Sequence, residues 1–243
     1  MSHPRRFREQ LPTVPQPEAH FHWRGREVSR IEGFSDAVFG FAITLLVVAL
    51  EVPRSFDGLM EVVRGFPAFV VCFAFLMLFW NSHYRFFRRY GLEDRLTRFL
   101  TILILLLVMF SVYPLKFLFG AILSFGSAHA PHIETVAQLK FIYRIYGLGF
   151  ASIWALYALL EAHGLRLGAA LRLSPAERLV GRESLVGYVI NVVVCGLSVA
   201  LSGFDVGNGT PGYAYGILAP LLTANGIWHG RAIRRLAADH ASR

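Results

Sequence analysis

Eight polar or ionisable side chains stand in otherwise apolar company along this sequence: Asp36, Asn81, His83, Glu161, His163, Asn191, Asn225 and His229. An ionisable group inside an apolar segment costs roughly 2.5–3.5 kcal/mol on insertion scales, so each one is a candidate for function. A carboxylate and an imidazole together can pass protons, and Asp36, His83 and possibly Glu161 are the residues from which a relay could be built. His83 and His229 could ligate a metal, but no pair shows a metal-ligand spacing such as His-x-x-x-His. No metal site is expected. Cys72 and Cys195 each lie alone in an apolar run, which excludes a disulfide framework and a zinc-type cluster. No nucleophile–base pair can be assembled either, so the expectation is no catalytic residue, no enzyme activity and no cofactor. Glu161 and His163 fall at the end of an apolar stretch and read as interfacial side chains. Asn191 and Asn225 read as hydrogen-bonding links between helices.

The elements that carry these residues are apolar helices. The chain has 243 residues, 55% hydrophobic and 16% charged, with a mean hydropathy of +0.49. Soluble proteins carry about a quarter charged residues, and this deficit points to one membrane-embedded, all-α domain rather than a disordered or fibrous chain. A helix needs about 20 mostly apolar residues to cross a bilayer core. Charge-free runs place six spans near 30–52, 62–84, 97–119, 140–162, 183–203 and 212–232. Residues 29–236 form the membrane domain. Residues 1–28, Arg- and Pro-rich and without an apolar core, read as a flexible basic tail, and 237–243 as a second, short one. Between spans four and five, Ser174-Pro175-Ala176-Glu177 carries a helix-start signature: cap, proline at the first helical position, acid in the first turn.

The net charge of +8 and the pI near 9.9 would suggest nucleic acid in a soluble protein. Here the charges follow the spans. The N-terminal segment, the links after spans two and four, and the C-terminus together hold 19 of the 24 Lys and Arg residues. By the positive-inside bias those segments, and both termini, are cytoplasmic. The basic balance is a topology signal, and nucleic acid is not an expected partner.

The first span is the most specific part of the sequence. It reads from Arg30 through Glu32, Phe34, Ser35 and Asp36 to Phe41, Thr44, Leu45 and Val48. At about 100° per residue, Arg30, Phe34, Phe41, Thr44, Leu45 and Val48 share one stripe, and Asp36 lies roughly 140° away. Arg30 and Asp36 are therefore not an ion pair within the helix. Asp36 either meets polar groups of another span, such as Trp80, Asn81 or His83, or caps a helix that starts late. The stripe is uncharged apart from Arg30. It suits a hydrophobic constriction that gates by dewetting, or equally a lipid-facing or packing surface, because a helix apolar all round does not say which face does what.

Arg30-x-x-x-Phe34-Ser35-Asp36, followed by Ala37 to Leu46, resembles the signature of the transmembrane protein 175 family of potassium channels. Trp80-Asn81-Ser82-His83-Tyr84-Arg85-Phe86-Phe87 and Tyr113-Pro114-Leu115-Lys116 continue the resemblance. It holds residue by residue in the first half of the chain and by span count in the second.

The resemblance implies a bacterial-type six-span unit that assembles as a homotetramer in the cell membrane, with four copies of the first span around a central pore for monovalent cations, potassium first. The narrow point falls on Phe41, with further rings at Thr44, Leu45 and Val48. An Ile or Leu is usual where this chain has Phe41. Arg30, Phe34, Ser35, Asp36, Trp80, Asn81 and His83 form the structural motif network. Thr44 offers a hydroxyl ring able to coordinate an ion or its water. The competing reading is a proton-coupled transporter using Asp36 and His83 as a relay; the paired, broken helices common in transporters are not evident.

Overall fold

The computed structural model describes residues 20–25, 27–48, 52–123, 133–204 and 210–241. The expectations for 1–19, for the end of the first span at 49–51 and for 242–243 lie outside these residues. Helices follow in the order α1 (Arg30–Val48), α2 (Phe56–Tyr90), α3 (Arg95–Leu123), α4 (Val136–Arg166), α5 (Pro175–Leu201), a short α6 (Thr210–Tyr213) and α7 (Leu218–Ala241). A 3-10 turn, Ala214–Ile217, joins the last two. Helices α1 to α5 are long and apolar enough to cross a membrane. α7 is not among them; its second half carries Arg231, Arg234 and Arg235.

Most of the helices overrun the apolar runs that announced them because polar caps lie beyond those runs. Ser29 accepts from the Glu32 backbone N–H at 3.2 Å while the Glu32 carboxylate accepts from the Ser29 N–H, a capping box that starts α1. α4 starts on Thr135 and Gln138, and α5 on Ser174 and Glu177, in the same reciprocal way. α2 ends at Gly91, whose φ of 60° needs no Cβ and whose N–H returns to the Phe87 carbonyl at 2.9 Å. The last expected span, 212–232, is instead a broken start followed by a regular helix from Leu218.

α1 packs against α2 and α3, α4 packs along α5, and α7 lies mainly against α5. Phe39, Ala42 and Leu46 of α1 enter a core shared with Leu76 and Phe79 of α2, Ile104 and Val108 of α3, and Tyr157 and Leu160 of α4. The Tyr157 hydroxyl in that core donates to the Phe79 carbonyl at 2.7 Å, so a buried polar group is satisfied.

The tail expected over 1–28 is docked from its twenty-first residue. Phe21 is buried edge-on against Tyr90. Arg24 pairs with Glu177 at 2.8 Å and donates to the Leu171 carbonyl, and the Arg24 and Gly25 N–H groups both reach the Arg88 carbonyl. The segment straps the end of α2 to the start of α5. A Cβ on Gly25 would come within 2.3 Å of the Phe87 carbonyl oxygen, so only glycine fits that crossing.

Candidate functional site

α1 presents two faces. Glu32, Ser35, Phe39, Ala42 and Leu46 are buried, and Ser35 closes its hydroxyl onto the Ile31 carbonyl at 2.7 Å. On the other side Phe34, Ala37, Gly40, Phe41, Thr44, Val47 and Val48 are uncovered, Phe41 at 67% and Val48 at 70% exposure. Three of the four residues expected to line a pore, Phe41, Thr44 and Val48, thus share an open face. Leu45 turns part of its surface to the core and stands at the edge of that face. The Thr44 hydroxyl donates to the Gly40 carbonyl at 2.9 Å. With its proton committed to the helix, its oxygen lone pairs remain free for a cation or a water.

The motif residues divide. Trp80 Nε1 donates to Asp36 Oδ1 at 2.8 Å, joining α1 to α2. Ser29, not Asp36, caps α1. Arg30 is exposed and makes no hydrogen bond or ion pair among the described residues; Asn81 and Phe34 are exposed as well. His83 is buried between Phe39 and Phe87, and neither ring nitrogen finds a hydrogen-bond partner among the described residues. No hydrogen bond joins it to Asp36, so the described part of one protomer holds no continuous path for a proton between the two.

Behind this face, at the arginine-rich end, ion pairs tie the helices together. Arg88 of α2 pairs with the buried Glu32 and donates to the Gly25 carbonyl at 2.8 Å. Glu161, expected at an interface, is instead buried: it accepts from the Tyr90 hydroxyl at 2.6 Å and lies 3.6 Å from Arg89, which also donates to Ser184. Burial of this carboxylate is tolerable because a guanidinium and a phenol answer it. His163 sits 2.9 Å from Asp94 in the turn before α3, and Asp94 also accepts from the Leu96 and Thr97 N–H groups and the Thr97 hydroxyl. Partial burial alone would raise the Asp94 carboxyl. The His163 and Thr97 hydrogen bonds outweigh it and hold the pKa down to about 2. Asn225 of α7 donates to the Glu183 carbonyl of α5 at 2.9 Å, while Asn191 bonds within its own helix. His229 likewise meets the Asn225 carbonyl. No group of three potential metal ligands occurs among the described residues.

The sequence carries no expectation of the Glu32–Arg88 and Arg24–Glu177 pairs. Ser29-x-x-Glu32 before an apolar run was a readable capping signal for the first, but the second joins residues 153 apart with no local pattern.

Comparison with known proteins bears on the same residues. The family model described as endosomal/lysosomal potassium channel TMEM175 matches residues 30–114, which run from Arg30 into α3. A protein of Marivirga tractuosa named potassium channel is 30% identical over 247 residues, taking in 96% of this chain and 100% of the relative. The crystal structure of the potassium channel MtTMEM175, as a variant bound to a nanobody–MBP fusion, is similar with a TM-score of 0.77 at 28% identity, over 90% of this chain and 100% of that one. A lysosomal potassium-selective channel TMEM175 homolog from Chamaesiphon minutus, 24% identical with a TM-score of 0.50 over 81% of this chain and 96% of that one, shares the fold. A full-length relative and a matching fold converge with the Arg30–Asp36 signature: this chain belongs to the TMEM175 family of potassium channels, membrane proteins that are not enzymes.

Proposed function

We propose that four copies of this chain meet about α1 in a lipid bilayer and enclose a passive, potassium-preferring pore. The observation that carries the reading is the uncovered face of α1, free of charge from Ala37 to Val48 and carrying one exposed hydroxyl, that of Thr44, whose proton is held by the Gly40 carbonyl. Around a four-fold axis, Phe41 forms the first apolar ring, Thr44 a hydroxyl layer one turn on and Val48 a second apolar ring, with Leu45 flanking them. Apolar rings of this kind close a pore by expelling water. A weakly coordinating oxygen layer favours the ion that sheds its water more readily, and potassium does so more readily than sodium. Four hydroxyls suffice for this, so the pore requires no cofactor and its ligand is the permeating ion.

In this reading α6, the 3-10 turn and α7 make the sixth crossing. The arginine-rich end faces the cytoplasm of a cell membrane with both termini, in keeping with the positive-inside bias. Asp36 serves assembly through Trp80 rather than proton transfer. Purified protein in liposomes should pass potassium down its gradient in preference to sodium, with neither ATP nor a proton gradient. Flux that requires a proton gradient would overturn the reading in favour of a transporter.

A further inference from the structure

We propose that the outer face of α7 is a binding site for an anionic phospholipid, with the headgroup held by Arg231 and Arg235. Leu221, Ala224, Trp228, Arg231 and Arg235 recur every three or four residues and therefore share one stripe about 21 Å long. All five are exposed, Trp228 at 76%. Along the stripe the chemistry runs from aliphatic to indole to guanidinium. That is the order of a bilayer from acyl chains through the carbonyl level, where tryptophan concentrates, to the headgroups.

Charge complementarity singles out the occupant. Arg231, Arg234 and Arg235 make no hydrogen bond or ion pair among the described residues. The facing acid on α5, Glu183, lies 3.6 Å from where a Cβ of Gly226 would stand, roughly opposite Trp228 on the helix, and so on the packed side. α7 itself rests mainly on α5 and the 3-10 turn, which leaves this side to the surroundings. Guanidinium forks match phosphate oxygens in pairs, and an uncompensated cluster of them just past an interfacial tryptophan fits a headgroup of net negative charge better than a zwitterionic one.

The test uses the full-length protein in detergent, titrated with fluorescent phosphatidylglycerol and, separately, phosphatidylcholine, and read by polarisation. The wild type should prefer phosphatidylglycerol, and the preference should vanish in about 1 M salt. At about 1 kcal/mol per basic residue near an anionic surface, Arg231→Gln/Arg235→Gln should bind phosphatidylglycerol roughly 25-fold more weakly. Arg231→Lys/Arg235→Lys should keep most of the preference, and Arg64→Gln, at the far end of α2, all of it. Equal affinity for the two lipids, or a preference that survives either high salt or the Gln variant, overturns the proposal. So does loss of the oligomeric mass in light scattering of the Gln variant, because the face would then be a contact between copies.

Discussion

In the proposed pore, Phe41 and Thr44 stand about a turn apart on α1 and act on a passing ion in different ways. There the phenyl ring offers no ligand and is proposed to set the bore, so Phe41→Ala should raise single-channel conductance and admit larger cations. Unaltered currents would place the throat elsewhere. The Thr44 oxygen offers lone pairs because its proton is held by Gly40. Thr44→Val keeps the shape and removes the acceptor, and with one net hydrogen-bond-scale contact worth about 1 kcal/mol, the potassium-to-sodium permeability ratio from bi-ionic reversal potentials should fall about fivefold. The Trp80–Asp36 contact is charge-assisted and joins two helices. Trp80→Phe should therefore cost about 2 kcal/mol in unfolding or assembly and leave the permeability ratio alone; a changed ratio with intact assembly would assign Asp36 to the ion path. Asp36 was legible as a residue in need of a partner because a lone carboxylate in an apolar run cannot be left unanswered. His83 was less so, since its neighbours are the aromatic rings of Phe39 and Phe87, which leave no polar signature.

Among the elements, starts are better written in the sequence than ends or docking. Ser174 to Glu177 announces α5 because a cap, a proline and an acid act locally, within one turn. The strap of Phe21 to Gly25 is invisible to local reasoning: an arginine- and proline-rich stretch reads as a tail, and its anchors lie on α2 and on Glu177, far along the chain. The final span reads as one helix because its hydropathy is continuous, whereas the backbone takes a 3-10 turn through Ala214–Ile217 before α7. The turn between α2 and α3 makes a testable element. Asp94 caps α3 and holds His163 of α4, so Asp94→Ala should lower thermal stability by about 1 kcal/mol, the usual cost of a lost cap. Because its folded-state pKa lies below the ordinary 3.8, at about 2, this carboxylate contributes stability that is complete above about pH 4 and is lost as the pH falls toward 2. Thermal melts of wild type and Asp94→Ala over that window should converge; parallel curves would show that Asp94 carries no such linkage.

At the scale of the whole molecule, the arginine distribution and the apolar runs were enough to read a helical membrane protein. The Arg30–Asp36 signature pointed to its family from a few turns of one helix. The second half was legible only as spans, because its buried contacts, such as Tyr157 to Phe79 and Glu161 to Arg89, are long-range and use residues that look ordinary alone. Under the proposed function, the bare α1 face of one protomer has its meaning in an assembly of four. The most direct measurement is therefore a cryo-EM map of the full-length protein in lipid nanodiscs. Four protomers about one axis are expected, with Phe41, Thr44 and Val48 of each facing a common conduit. A map with α1 on the lipid-facing perimeter, or a solitary protomer with no axial passage, would contradict it.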